Sequence, residues 1–185
     1  MSLIKPFSGI RPKKKFAKQI TSPNVSYIDN YKPNKKLNFL NLLNTFNINK
    51  SKKMLNSLKE KGIIQKDQSN HFYLYRITHS KKKLLGIVGK INLENYDDKK
   101  ILGHEETFVE RIRKRKEQLL KFNSQISPIY TTYKTTRNSL KRLNHIFKFK
   151  PDYNFKSKDK CRHELWVVKR NHIKKLLRNY LKSIK

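Results

Sequence analysis

The stretches FYLYRIT, residues 72–78, and LLGIVGKINL, residues 84–93, decide the fold class of this chain. Both are rich in aromatic and β-branched residues, which are enriched in β-strands. The basic segment at residues 80–83 between them is suited to a turn, so we predict a β-hairpin. Gly86 and Gly89 are three residues apart in the second strand and therefore on opposite faces, where a bulge or the close approach of another backbone is expected.

The segments around this hairpin alternate between helical and strand patterns. Helical spacing of apolar residues is found at residues 51–62, 103–122, 140–147 and 171–184, and strand patterns at residues 128–133 and 163–168. Residues 35–44 fit either a short helix or a buried strand. This alternation predicts a single domain of the α/β or α+β class, with a mixed sheet and flanking helices.

The proline content suggests that the chain has two parts. Its 185 residues suit one domain, and a hydrophobic fraction of 36% allows only a thin core. Residues 1–36 contain four of the six prolines and little helical periodicity. We therefore predict an extended, proline-rich lead-in over residues 1–36 and a mixed α/β domain over residues 37–185.

The net charge is strongly positive. There are 45 Lys and Arg residues against 13 Asp and Glu, a formal charge of +32, and the excess of Lys over Arg is typical of an AT-rich genome. A charge of this size attracts nonspecific polyanions whatever its origin. The candidate nucleic-acid-binding residues are Arg111, Arg113, Lys114, Arg115, Lys174, Lys175 and Arg178, on two predicted helices. The alternative is that both helix faces are simply solvated.

Other protein classes are disfavoured by what the sequence lacks. No stretch approaches the roughly 18 apolar residues of a membrane span, and the first residues have no apolar run of signal-peptide length. A cytoplasmic protein without a membrane partner is therefore expected. Cys161 is the only cysteine, which excludes disulfide scaffolds and cysteine-based zinc sites, and no metal ligands are predicted.

The densest cluster of proton-transferring groups is HEET at residues 104–107, at the predicted start of a helix. His104, Glu105 and Thr107 are the candidate catalytic residues, because helix N-terminal amides could also hold an anion there. The alternative is that the acids only complement the helix dipole. The H-E-x-x-H pattern of zinc proteases is absent, since position 108 is Phe.

Seven segments, in order along the chain, together resemble a family of uncharacterised bacterial and archaeal proteins called DUF ten-fifteen. The segments lie at residues 4–12, 37–40, 72–76, 86–89, 96–107, 127–133 and 162–168. They are similar to the family's I-x-P-F-x-G-x-R-P, S-F-L, Y-x-Y-R, G-I-V-G, D-Y-x-x-x-x-I-x-x-H-E-x-T, P-V-x-x-x-Y and H-x-L-W-x-I motifs. Members are often labelled as ParB-type proteins and look related to the ParB/sulfiredoxin-like group, which includes a free serine kinase.

The resemblance implies both an activity and an incomplete chain. Full-length relatives continue with an A-D-G-H-H-R nucleotide motif, so this chain is expected to be an N-terminal half, left by a split, frameshifted or eroding gene or supplied as a fragment. If a separate polypeptide supplies the C-terminal half, it is the expected partner. The implied activity is phosphotransfer between a nucleotide and serine or phosphoserine, with Mg²⁺ as the expected metal. His104, Glu105 and Thr107 would line the site, and Arg11 would clamp an anion.

Two other functions are left open: a basic, ParB-like nucleic-acid-binding protein, and an inactive remnant. The final helix bears on the question of a partner. Its apolar residues Ile173, Leu177, Tyr180 and Ile184 could form part of a seam for the missing half. The alternative is that they cover the domain's own core, as amphipathic helices usually do.

Overall fold

The computed structural model describes residues 3–21, 37–39, 48–94, 101–103, 108–126, 128–134, 143–144, 146–157 and 160–182. The strands are β1 (Ile4–Lys5), β2 (Ile10–Pro12), β3 (Ile64–Lys66), β4 (Phe72–His79), β5 (Lys82–Val88), β6 (Lys90–Ile91), β7 (Tyr153–Lys156) and β8 (Arg162–Val168). The α-helices are α1 (Ala17–Ile20), α2 (Ile48–Glu60), α3 (Val109–Phe122) and α4 (Asn171–Lys182), and a 3₁₀ turn spans Lys14–Phe16. The predicted single domain of mixed helices and strands is confirmed as α+β.

A four-stranded sheet in the order β5-β4-β8-β7 forms the centre of the fold. Its described pairings are all antiparallel, whereas a mixed sheet was predicted. Leu74 lies between Ile87 on β5 and Trp166 on β8, and this face of the sheet is covered by α4. The main core contains Phe72, Leu74, Leu143, Ile146, Phe147, Trp166, Val168, Ile173, Leu177, Tyr180 and Leu181. The buried Trp166 indole donates to the carbonyl of Phe149 at 2.7 Å, which satisfies its only polar group.

The predicted hairpin is confirmed as β4 and β5, joined by Ser80 and Lys81. The second stretch does not continue as one strand, because β5 ends at Val88 and β6 pairs with β1 instead. Gly89 lies at this break, where a Cβ would be 2.3 Å from Cγ2 of Ile4 and 2.9 Å from the carbonyl oxygen of Lys5. The close backbone approach expected at this glycine is therefore present.

Helix α2 and its C-terminal turn form the centre of a second, smaller core. Gly62 ends the helix with a φ of 60°, as predicted, and its N–H donates to the carbonyl of Lys59 at 2.9 Å. The N–H of Ile63 donates to the carbonyl of Leu58 at 2.9 Å, which completes a Schellman motif. The helix begins at Ile48, so Ser51, where the helical pattern at residues 51–62 starts, is a buried interior residue.

The N-terminal residues are paired with later parts of the chain. Strand β1 pairs with β6, and β2 pairs with β3, both antiparallel. Residues 14–20 then form the 3₁₀ turn and α1. The predicted boundary between residues 36 and 37 falls at the edge of a segment outside the described residues.

Two predicted elements differ in the structure. Helix α3 begins at Val109 and not near Gly103, because Phe108 has the extended dihedrals φ −56° and ψ 130°. Residues 128–134 form no strand, and Ile129 and Tyr130 are exposed. A local strand pattern is insufficient there, since a strand also needs a partner edge and a core on which to bury its apolar face.

The final helix is confirmed as α4, but the seam hypothesis is wrong for three of its four residues. Ile173, Leu177 and Tyr180 are buried in the main core of this domain, and Ile184 lies outside the described residues. The N–H of Lys174 donates to the carbonyl of Arg170 at 3.0 Å, so Arg170 accepts a hydrogen bond from the first turn of the helix. Across the described ranges, the helices lack the length and apolarity needed for a bilayer span.

Candidate anion-binding site

A cleft of about 500 Å³ lies between β1, β6, the start of β4 and α4. It is lined by Ile4, Lys5, Pro6, Asn70, Phe72, Lys90, Arg178 and Lys182. Four of these eight residues are cations and none is acidic. We refer to it as the basic cleft.

The fold brings these cations together from three elements. Lys5 and Lys90 are directly opposite each other in the β1–β6 ladder, which places their side chains on the same face. Arg178 and Lys182 are four residues apart on α4 and therefore neighbours on one side of that helix. Like charges in such positions repel one another, so an anion in the cleft would relieve the repulsion.

The remaining lining residues supply an apolar wall and one amide. Phe72 is fully buried, while Ile4 and Pro6 are half-buried. The side chain of Asn70 can both donate and accept hydrogen bonds. The cleft therefore combines charge for an anionic group with an apolar surface for the body of a small ligand.

Arg11, the predicted anion clamp, forms an ion pair with Asp67. Its Nε lies 2.9 Å from both carboxylate oxygens of Asp67, and its Nη2 lies 2.6 Å from Oδ1. Its Nη1 donates to the Tyr153 hydroxyl at 2.5 Å, and that hydroxyl donates to the carbonyl of Pro12. The hydrogen bond to Asp67 raises the pKa of the Arg11 guanidinium, against the opposing effect of burial. Arg11 does not line the basic cleft.

The same network joins two of the motif segments. The Tyr73 hydroxyl on β4 donates to Oδ2 of Asp67 at 2.7 Å and accepts the N–H of Gly9 at 2.8 Å. The Ser8 hydroxyl donates to the carbonyl oxygen of Asp67. Burial, reinforced by the hydrogen bond to Asp67, raises the pKa of Tyr73. Residues 4–12 are thereby attached to β4, and β1 is held beside the basic cleft.

His163 and Glu164 are consecutive residues of β8 and therefore point to opposite faces of the sheet. Glu164 is buried and accepts two hydrogen bonds from Arg76 at 2.6 and 2.7 Å, which lower the pKa of its carboxyl. His163 lies 2.6 Å from the Tyr75 hydroxyl and 2.7 Å from Oγ of Ser157. Both residues therefore have hydrogen-bond partners within the fold.

The three candidate catalytic residues, His104, Glu105 and Thr107, lie outside the described residues. Helix α3 begins at Val109, and the acidic residue in its first turn is Glu110. The interaction between first-turn acids and the helix dipole therefore applies to Glu110. No group of three or more His, Cys, Asp or Glu side chains that could hold a metal occurs in the described part of the chain.

The predicted nucleic-acid-binding residues separate into two places. Arg111, Arg113, Lys114 and Arg115 are exposed on α3. On α4, Arg178 lines the basic cleft, Lys175 is exposed and Lys174 is half-buried. Sequence patterns did not single out Lys5, Asn70 and Lys90 as functional residues. These residues are far apart in sequence, and only the tertiary structure, including the β1–β6 pairing, brings them to one cleft.

The model of the protein family of unknown function DUF1015 matches residues 4–185. The chain belongs to this family. The motif resemblance to DUF ten-fifteen is thus confirmed, and the match covers both the basic cleft and the Arg11–Asp67 network. No curated protein and no solved structure matches the chain. The description of DUF1015 names no activity, so the function has to be argued from the residues themselves.

Proposed function

We propose that this DUF1015 protein binds a phosphate-bearing small molecule in the basic cleft. The observation that carries the proposal is the convergence of Lys5, Lys90, Arg178 and Lys182, with no carboxylate among the described lining residues. Phosphate groups are bound by such cations through charge-assisted hydrogen bonds. The volume of about 500 Å³ is within the usual range for small-molecule sites.

The reaction that we propose for this ligand is phosphotransfer between a nucleotide and serine or phosphoserine. Its support is the resemblance of the motifs, together with the residue types of His104, Glu105 and Thr107, which suit proton transfer and phosphate contact. Arg11, predicted as an anion clamp, is instead paired with Asp67. Phosphotransfer depends mainly on positioning and on neutralising phosphate charge, and the basic cleft could serve the second need.

Binding is tested by isothermal titration calorimetry with ATP, ADP and phosphoserine at about 0.15 M salt. We expect the double variant Arg178→Gln with Lys182→Gln to weaken binding by about tenfold or more, because two cations next to the ligand are lost. The matched control is Lys52→Gln with Lys53→Gln, which removes the same charge from an exposed part of α2. Equal weakening by both variants would show that only net charge matters and would contradict a specific site.

Turnover is tested separately with the purified protein. The substrates are serine with ATP and phosphoserine with ADP. Unchanged turnover in the variant His104→Ala with Glu105→Ala would contradict the assignment of these residues to catalysis. Binding in the cleft is decided independently, by the calorimetry.

A second candidate function is nucleic-acid binding through α3, favoured by its exposed Arg111, Arg113, Lys114 and Arg115. It predicts binding to DNA that persists at physiological salt and discriminates between sequences. Weak binding that disappears by about 0.2 M salt would identify nonspecific polyanion attraction. An inactive remnant predicts neither ligand binding nor turnover.

A further inference from the structure

Helix α3 exposes an apolar face. Val109 and Leu120 are 82% and 72% exposed, and Ile112 and Leu119 are about half exposed. The helix is attached to the smaller core near its C-terminus, where Phe122 is buried. Several large apolar side chains on one exposed helix face are typical of an interaction surface.

The exposed face contains a groove of about 580 Å³ along the helix. Its lining residues are Arg111, Ile112, Arg115, Lys116, Leu119 and Leu120. These residues form two rows with a spacing of four, one of Arg111, Arg115 and Leu119 and the other of Ile112, Lys116 and Leu120. Rows with this spacing are the ridges of helix packing, and the space between them accepts a similar ridge of a second helix.

Among the described residues that line this groove, the charges are all positive. Three of its six lining residues are the cations Arg111, Arg115 and Lys116. The helix's two acids, Glu110 and Glu117, lie on the other side and are ion-paired within the helix. Those pairs join Glu110 to Arg113 at 3.5 Å and to Lys114 at 3.6 Å, and Glu117 to Lys121 at 2.8 Å. The groove is therefore complementary to an apolar ridge with acids on its flanks.

We propose that the α3 groove docks one acidic amphipathic helix of a partner protein. The apolar ridge of that helix enters between the two rows, and its Asp or Glu side chains face Arg111, Arg115 and Lys116. A second copy of this chain does not fit the groove, because its own Arg111, Arg115 and Lys116 would lie against the same three cations and be repelled by them. An anionic bilayer would complement the charge of the groove but has no apolar ridge to fill it. Insertion of α3 into a bilayer would also need a continuous apolar stripe, which Lys116 interrupts.

The test uses a fluorescein-labelled helical peptide of about 20 residues, with Leu at i, i+4 and i+7 positions flanked by Glu. Its binding to the full chain is followed by fluorescence anisotropy at about 0.15 M salt. We expect Ile112→Ser with Leu119→Ser to weaken binding by about tenfold or more. Leu176→Ser is the matched control, since Leu176 is 50% exposed on α4, and it should change binding by less than about twofold. Both variants alter exposed residues, and circular dichroism checks that they fold.

A charge exchange separates docking from general attraction. The variant Arg115→Glu with Lys116→Glu should lose the Glu peptide and gain a peptide in which each Glu is replaced by Lys. Equal affinity for a scrambled peptide of the same composition would overturn the proposal. It would also be overturned by binding to phosphatidylserine vesicles in place of the peptide, or by a dimer in light scattering that Ile112→Ser with Leu119→Ser dissociates.

Discussion

Arg11 and Asp67 form a bidentate ion pair across 56 residues of sequence, with the closest nitrogen and oxygen 2.6 Å apart. Both side chains are largely withdrawn from solvent, at 18% and 7% exposure. The pair joins β2 to the segment that follows β3, and Tyr73 and Tyr153 extend it to the central sheet. The N-terminal strands are therefore held in place by a polar network as well as by backbone pairing.

Replacing Asp67 should destabilise the fold. Asp67→Asn keeps the shape of the side chain but removes the charge that faces Arg11, and we expect a loss of about 2 kcal/mol in the free energy of unfolding by urea. Glu110→Gln is the control, because its ion pairs on α3 are exposed and should leave the stability unchanged.

The ion pair of Asp67 predicts that the stability of the fold depends on pH in the acid range. Burial would raise the pKa of Asp67, but the hydrogen bonds from Arg11 and Tyr73 outweigh it and lower the pKa below its ordinary value of 3.8. The unfolded chain therefore binds a proton first, and stability is lost as the pH falls below about 4. Asp67→Asn should flatten this part of the stability profile, and an unchanged profile would contradict the assignment.

Removing the hydroxyl of Tyr73 tests how residues 4–12 are attached. Tyr73→Phe deprives Asp67 of a donor and leaves the buried N–H of Gly9 without its acceptor at 2.8 Å. We expect a loss of about 1–3 kcal/mol, measured by urea unfolding. Tyr130→Phe is the control, since Tyr130 is 72% exposed.

Gly89 should tolerate no side chain. A Cβ there would meet Ile4, Lys5 and Phe72, so Gly89→Ala should separate β1 from β6 and cost about 1–3 kcal/mol. Because Lys5 and Lys90 line the basic cleft, binding of the phosphate ligand should weaken as well. The matched control is Gly86→Ala, where the nearest atom is a carbonyl oxygen 4.0 Å away. Equal effects of the two variants would argue against the described β1–β6 pairing.

His71 should make stability depend on pH near neutrality. Burial and the nearby charge of Lys174 lower the pKa of His71 below its ordinary 6.5, although Asp67 opposes this. Its Nδ1 lies 3.2 Å from the carbonyl oxygen of Val168, so the neutral ring donates there and accepts from Ser69 at 3.1 Å. Stability should therefore be complete above about pH 7 and fall as the pH drops below about 6.5.

The variant His71→Gln should lose this pH dependence, as followed by thermal unfolding between about pH 5 and pH 8. His79→Gln is the control, because His79 is exposed at the end of the hairpin. If the pH profile changed in His79→Gln and not in His71→Gln, the titrating residue would be His79. That result would contradict the assignment to His71.

Local patterns predicted the elements whose conformation depends on neighbours in sequence. Gly62 could be predicted to end a helix because a left-handed residue is needed there, and the hairpin at β4 and β5 because its residue types suit strands. The strand predicted at residues 128–133 failed for the converse reason. Its conformation depends on a partner edge, which no local pattern specifies.

The functional residues were harder to predict than the elements. Arg178 was singled out from the polar side of α4, but as a nucleic-acid contact and without the residues that surround it in the basic cleft. Arg11 was singled out from the motif, and its pairing with Asp67 depends on a contact between β2 and the segment after β3. The expected catalytic cluster at residues 104–107 stays a prediction.

By itself, the amino-acid sequence determined the family, the α+β class, the hairpin and the amphipathic final helix, because short-range spacing and residue type suffice for each. Only the tertiary structure decided that Lys5 and Lys90 meet Arg178 and Lys182, that Ile173 and Leu177 face the domain's own core, and that α3 keeps an open groove. Electrostatic and hydrophobic interactions act between residues that are close in space, and the tertiary structure determines which residues those are.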